Sequence, residues 1–318
     1  MGWSIDDVPD MAGRVAVITG ANGGLGFETA RALARKGATI VMAVRDAEKG
    51  ARARGAILAE TPGAALEIAR LDVSSLASVH EAAAAIVTAH RRLDILVNNA
   101  GVMAIPRRES PDGHELQLAT SHLGHFALTA LLMPAILQSD RGRVVSVTSL
   151  GRLLGRPLDS TDISMRRRYN PWLAYGRAKL AVVQFTVALD GVLEACGAPV
   201  RALAADPGFS RTDLQARCAR ETGGISQRFA ARSVAWFGSS PAAGALPQIR
   251  CAVDPATSGG CLYGLRYAIA GPPVRQPYLV PWLRRQDLRA LWAISERETG
   301  VRFDVAAMAR EAVQPPAV

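Results

Sequence analysis

The chain has 318 residues, 49% of them hydrophobic and 20% charged, a globular composition long enough for one large domain. Its net charge is +9, but the arginines are dispersed along the chain and gather into no basic stripe, so no nucleic-acid partner is expected. No apolar run reaches the roughly 18 residues that a membrane helix needs, and Asp6, Asp7 and Asp10 occupy the place of a signal-peptide core. The cysteines at 196, 218, 251 and 261 lack Cys-x-x-Cys spacing and read as reduced thiols of a cytoplasmic protein, with no metal site. Short apolar runs at 14–19, 39–44, 66–71, 94–98, 143–148 and 200–205 read as strands covered on both faces. Helical patterns at 25–36, 76–90, 113–138 and 172–195 separate them, the first closed by Gly37. This alternation predicts an α/β fold: a doubly wound, mostly parallel, Rossmann-like sheet of about seven strands with helices on both faces. Residues 209–240 break the pattern and read as a substrate lid. A helix at 241–252, a last strand at 261–265 and a Pro-rich C-terminal extension (266–318) with an amphipathic helix near 287–298 complete a single domain, 1–318.

The first strand runs directly into TGANGGLG, Thr19 to Gly26, and then into a helix. Glycines at 20, 24 and 26 allow a sharp turn and close approach to a pyrophosphate, with the helix N-terminus facing the anion. An ordinary turn uses the same glycines, but the position between a strand and a helix favours dinucleotide binding.

The spacing T-G-x-x-x-G-x-G resembles the short-chain dehydrogenase/reductase family. LDV (71–73), NNAG (98–101), YGRAK (175–179) and DPGFSRT (206–212) carry the resemblance in the family's order. NNAGVM, HLGHF and LWAISERETGVRF are similar to bacterial members of the retinol-dehydrogenase-like branch. The resemblance implies that Gly20, Asn22, Gly24, Leu25, Gly26, Asp72, Val73, Asn99, Ala100, Gly101, Pro207, Gly208 and Thr212, with Tyr175 and Lys179, line the cofactor. The family's NAD-selecting acidic residue at the end of the second strand is replaced by Val44, followed by Arg45. A guanidinium suits a 2′-phosphate, so NADPH/NADP is expected over NAD, although Asp46 is adjacent.

Lysine occurs only at 36, 49 and 179, so a chance Tyr-x-x-x-Lys is expected only ~0.05 times among five tyrosines. On a helix, Tyr175 and Lys179 share a face. Carbonyl reduction needs a proton donor at oxygen, and a nearby ammonium makes a tyrosine phenol fit for that acid/base role. The family resemblance adds a lysine bond to the nicotinamide ribose and selects Ser149, from VVSVTSLG, to hold the substrate oxygen. It also places Ser121, in SHLGHF, where the family usually has an asparagine that holds a relay water.

His122 and His125 are three residues apart but lack accompanying metal ligands, and MRRRY (165–169) reads as a solvated charge run. Phe229, Val234, Trp236 and Phe237 are candidate lid residues. The reading is an NADP(H)-dependent oxidoreductase that interconverts a carbonyl and an alcohol on a fairly lipophilic small molecule, with Tyr175 as general acid/base. Ser121 keeps an alternative from another class open: a cofactor-binding sensor or non-redox tailoring protein. The composition is silent on whether the chain forms a homo-oligomer.

Overall fold

The computed structural model describes residues 2–210 and 239–313. The expected lid, with its four aromatic and aliphatic candidates, lies almost wholly outside the described residues, as does Thr212.

Eight strands form one sheet: β1 (Val15–Thr19), β2 (Thr39–Val44), β3 (Leu66–Arg70), β4 (Ile95–Asn98), β5 (Gly142–Val147), β6 (Val200–Asp206), β7 (Leu262–Leu265) and β8 (Pro273–Gln276). Their order is β3-β2-β1-β4-β5-β6-β7-β8. The first seven run parallel, as the βα alternation predicts, and the chain reverses between β1 and β4 in that order. The eighth is antiparallel to β7 and was not expected from its Pro-rich sequence. Pro273 is the first residue of this edge strand, where a missing N–H costs no ladder bond.

Successive strand residues point to opposite faces, and each face is apolar. Val17, Leu96, Val144 and Ala202 belong to one core. Ile18, Val97, Val145 and Leu203 belong to the other. The first core is covered by α3 (Leu76–Ala89), α5 (Gly124–Ile136) and α6 (Pro171–Ala195), the second chiefly by α1 (Gly24–Ala34) and α7 (Pro241–Val253).

Four features depart from the expected pattern. Helix α2 (Ala47–Glu60) was missed because only Gly50, Ala53 and Ile57 are buried along it, too narrow a stripe to read. The expected helix at 113–138 starts instead with a single turn, α4 (Leu116–Leu118), capped by the Glu115 carboxylate. It then opens into a π-helical turn, Ala119–Leu123, before α5 begins. A Cβ on Gly124 would lie 1.8 Å from the Val73 carbonyl oxygen, so helix and loop pack backbone to backbone there. The extension forms two helices, α8 (Arg285–Thr299) and α9 (Val305–Val313). Trp292 of α8 and Phe303 of the link before α9 stand against Phe126 and Phe185, with ring centroids 5.1–5.9 Å apart. Burying each such ring contributes about 1.5–3 kcal/mol.

Candidate active site

The carboxyl ends of β1, β2, β4, β5 and β6 lie side by side at the reversal of strand order, where doubly wound sheets bind ligands. The loop after β1 has the shape of a phosphate cradle. Gly20 and Gly24 have φ of +69° and +52°. A Cβ on Gly26 would lie 2.5 Å from the Gly20 carbonyl oxygen and 2.6 Å from the Asn99 amide nitrogen. Helix α1 starts at Gly24, beside Asn22 and Leu25, without a side-chain cap, so its first N–H groups are available to an anion.

Thr19 ties this loop to the end of β4. Its hydroxyl accepts from the Asn99 and Ala100 backbone N–H groups, both at 2.9 Å, and is 2.9 Å from His125 Nε2. Asn99 in turn donates its side-chain amide to the Thr19 carbonyl at 2.8 Å. Burial holds His125 neutral, its pKa pushed down to about 4, with the Lys179 charge acting in the same direction. His125 is thus a structural link between the two loops. Gln248 of α7, which drew no attention in the sequence, donates to Thr29 and to the Leu25 carbonyl on α1.

At the carboxyl end of β2, Asp46 does not stand free. Its carboxylate caps α2 by accepting from Lys49 N at 3.0 Å and lies 3.4 Å from the Lys49 ammonium. Arg45 is exposed, with a loose 3.9 Å approach to Asp72. Asp72 is turned toward its own loop, accepting from the Ser74 hydroxyl and N–H, and Val73 backs onto Gly124.

At the other end, Asn170 accepts from the N–H groups of Trp172 and Leu173, with Pro171 in the first helical position. This start brings Tyr175 into the second turn of α6 and Lys179 into the third, both buried. The Lys179 ammonium donates to the Val147 carbonyl at 2.9 Å and stands 5.9 Å from the Tyr175 ring centroid. Desolvation pushes its pKa down to about 8, against the attraction of Asp206. Ser149 caps a 3-10 turn (Leu150–Leu154), its hydroxyl accepting from Gly151 N at 3.2 Å. A Cβ on Gly151 would meet Tyr175 Cε1 at 2.6 Å, so this turn rests directly on the tyrosine ring. A Cβ on Gly101 would be 3.6 Å from both Lys179 Nζ and Ser121 Oγ, which brings the three together. Ser121 lies in the π-helical turn, and its buried hydroxyl has no hydrogen-bond partner. Pro207 and Gly208 follow β6 in a tight turn, with Gly208 at φ +64°.

The structure therefore gathers the expected residues, Thr212 aside, around one end of the sheet. The residues present fit a dinucleotide: the glycine loop would hold its phosphates, and Tyr175 and Lys179 would stand at its reactive end. The family profile described as short chain dehydrogenase matches residues 14–222. Human retinol dehydrogenase 13 is 36% identical over 91% of this chain and 85% of its own. Mouse polyprenol dehydrogenase is 39% identical over 92% of this chain and 86% of its own. The crystal structure of an uncharacterized protein from Mycobacterium paratuberculosis, 39% identical, superposes with a TM-score of 0.75 over 95% of this chain and 99% of that one. The chain belongs to the short-chain dehydrogenase/reductase family of oxidoreductases and resembles its retinol-dehydrogenase-like members.

Proposed function

We propose that the protein is an NADP(H)-dependent oxidoreductase interconverting a carbonyl and an alcohol on a fairly lipophilic small molecule. The observation that carries this reading is the buried Tyr175–Lys179 pair set against the Ser149 turn. A nicotinamide cofactor supplies the hydride when bound. Tyr175 gives a proton to the substrate oxygen in reduction and takes one in oxidation. Lys179, an ammonium close to the ring, favours the phenolate form that oxidation requires. Ser149 donates a hydrogen bond to the substrate oxygen and orients it. Ser121 Oγ, unpartnered and beside Lys179, is the group available to hold a relay water in place of an asparagine.

NADP(H) is favoured because Arg45 is exposed at the end of β2 while Asp46 is committed to capping α2. A lipophilic substrate is in keeping with the retinol and polyprenol named for the two relatives. Cytoplasmic residence remains part of this proposal; among the described residues no helix is long and apolar enough to cross a membrane.

The test is NADPH oxidation across a panel of long-chain and terpenoid aldehydes and ketones, with identification of the alcohol product. NADPH binding without consumption on any carbonyl would instead favour the sensor or non-redox tailoring reading.

A further inference from the structure

The residues named for chemistry leave one buried group unexplained. Among the described residues, the bulkiest fully buried side chain is that of Arg152, 1% exposed. A guanidinium out of water is costly unless paired and fully hydrogen-bonded. Arg152 is paired and bonded at two nitrogens: its Nη1 pairs with Asp206, itself buried, and its Nε donates to the Tyr278 carbonyl at 3.2 Å.

The two partners are placed where the candidate chemistry meets the candidate cofactor site. Arg152 belongs to the 3-10 turn that Ser149 caps, and its N–H donates to the Ser149 carbonyl at 3.0 Å. The same turn presses Gly151 on Tyr175. Asp206 ends β6, and its second oxygen accepts from Gly208 N at 2.9 Å. Gly208 packs backbone to backbone on the extension: a Cβ there would lie 1.7 Å from the Ala268 carbonyl oxygen, and Phe209 N donates to that oxygen at 3.0 Å. One guanidinium–carboxylate pair therefore links the Ser149 turn, the Pro207–Gly208 turn and, through Tyr278, the C-terminal extension.

We propose that Arg152 and Asp206 are positioning residues for the oxidoreductase reaction, fixing Ser149 and Tyr175 against the Pro207–Gly208 turn. The proposal rests on the reading of Tyr175 and Lys179 given above. Neither residue is accessible to substrate, so both act through the groups that are.

The experiment compares wild type with Arg152→Lys, Asp206→Asn and the neutral double variant Arg152→Met/Asp206→Asn, which leaves no uncompensated buried charge in the pair. Thermal unfolding, NADPH affinity, kcat and KM are measured for each. The double variant is expected to fold and bind NADPH, with kcat at least about tenfold lower and KM little changed, since small misplacements of a reacting group are costly. Asp206→Asn should lower kcat in the same way. Arg152→Lys keeps the charge balance but cannot also reach Tyr278, so its kcat should fall to an intermediate value with KM and NADPH affinity little changed. A double variant with wild-type kcat would overturn the proposal, as would a kcat loss that returns in full on cooling. If the double variant fails to fold, wild-type kcat in Arg152→Lys refutes the positioning role on its own. A wild-type protein that turns over no carbonyl would sink the reductase reading itself, whereas unchanged kcat in the variants of an active enzyme sinks only the positioning role.

Discussion

Replacing Gly26 by alanine, with Gly23→Ala beside it, tests the phosphate cradle. The two glycines are three residues apart, yet their surroundings differ. A Cβ on Gly23 meets nothing within 4 Å, and one on Gly26 lies 2.5 Å from the Gly20 carbonyl oxygen and 2.6 Å from Asn99. The obstacle at Gly26 is largely backbone and cannot rotate away, so α1 and the loop must separate. Overpacking of this kind costs about 1–3 kcal/mol. Alanine returns about 1 kcal/mol of helix propensity at position 26. The net loss of stability is therefore at most about 2 kcal/mol, and the protein stays folded. The effect on binding is larger. If separation costs one hydrogen bond to a charged phosphate, worth about 1.5–3 kcal/mol, NADPH affinity falls roughly ten- to a hundredfold. Fluorescence titration of NADPH and thermal unfolding measure the two effects separately. Gly23→Ala should change neither by much. Unaltered NADPH affinity in Gly26→Ala would refute the assignment of this loop to the pyrophosphate.

Three further predictions concern the cofactor end, the buried lysine and the buried histidines. NADPH should bind more tightly than NADH, and Arg45→Asp should reverse the order, since a charged contact to the 2′-phosphate is worth about 1.5–3 kcal/mol; equal affinities in wild type would count against Arg45. Lys179→Met should weaken NADPH binding and abolish most turnover without lowering thermal stability. A displacement of the lysine pKa from 10.5 to about 8 implies roughly 3 kcal/mol of burial cost at neutral pH. Losing that cost offsets the roughly 1–3 kcal/mol for leaving the Val147 carbonyl unpaired, and a sharp fall in Tm would contradict it. Burial pushes the His122 and His125 pKa values down to about 3 and about 4. The unfolded chain, whose histidines titrate near 6.5, binds more protons than the folded one below that pH. Stability should thus be full above pH 6.5 and decline as pH falls toward 4, by about 2 kcal/mol per histidine at pH 5. His122→Gln should flatten the decline in Tm, and an unchanged slope would show that other groups control it.

Much of this was legible in the sequence, for identifiable reasons. The parallel strands announce themselves because both faces of the sheet are covered, which makes β1 and β2 nearly continuous in Val, Ile, Ala and Met and gives β5 its three valines. The glycine loop was legible because Gly20, Gly24 and Gly26 each answer a geometric demand that no other residue meets. Tyr175 and Lys179 stood out through the scarcity of lysine in this chain. What escaped notice depends on contacts between distant segments. Arg152 reads as one more arginine in an arginine-rich chain, and only Asp206, fifty-four positions later, gives it a buried role. Thr19 belongs to the glycine motif, but its bonds to Asn99, Ala100 and His125 span 80 to 106 residues. Helix α2 hides its buried side in Gly50, Ala53 and Ile57. The eighth strand and α9 lie in the extension, where prolines masked one and shortness the other.

The central claim is that Tyr175 moves the proton. The most direct measurement compares wild type with Tyr175→Phe, following carbonyl-dependent NADPH oxidation and NADPH affinity on the same preparations. Removing only the hydroxyl should lower kcat/KM by at least about a hundredfold, the scale of general acid catalysis, while the NADPH Kd changes little. Undiminished turnover by the phenylalanine variant would contradict the assigned mechanism.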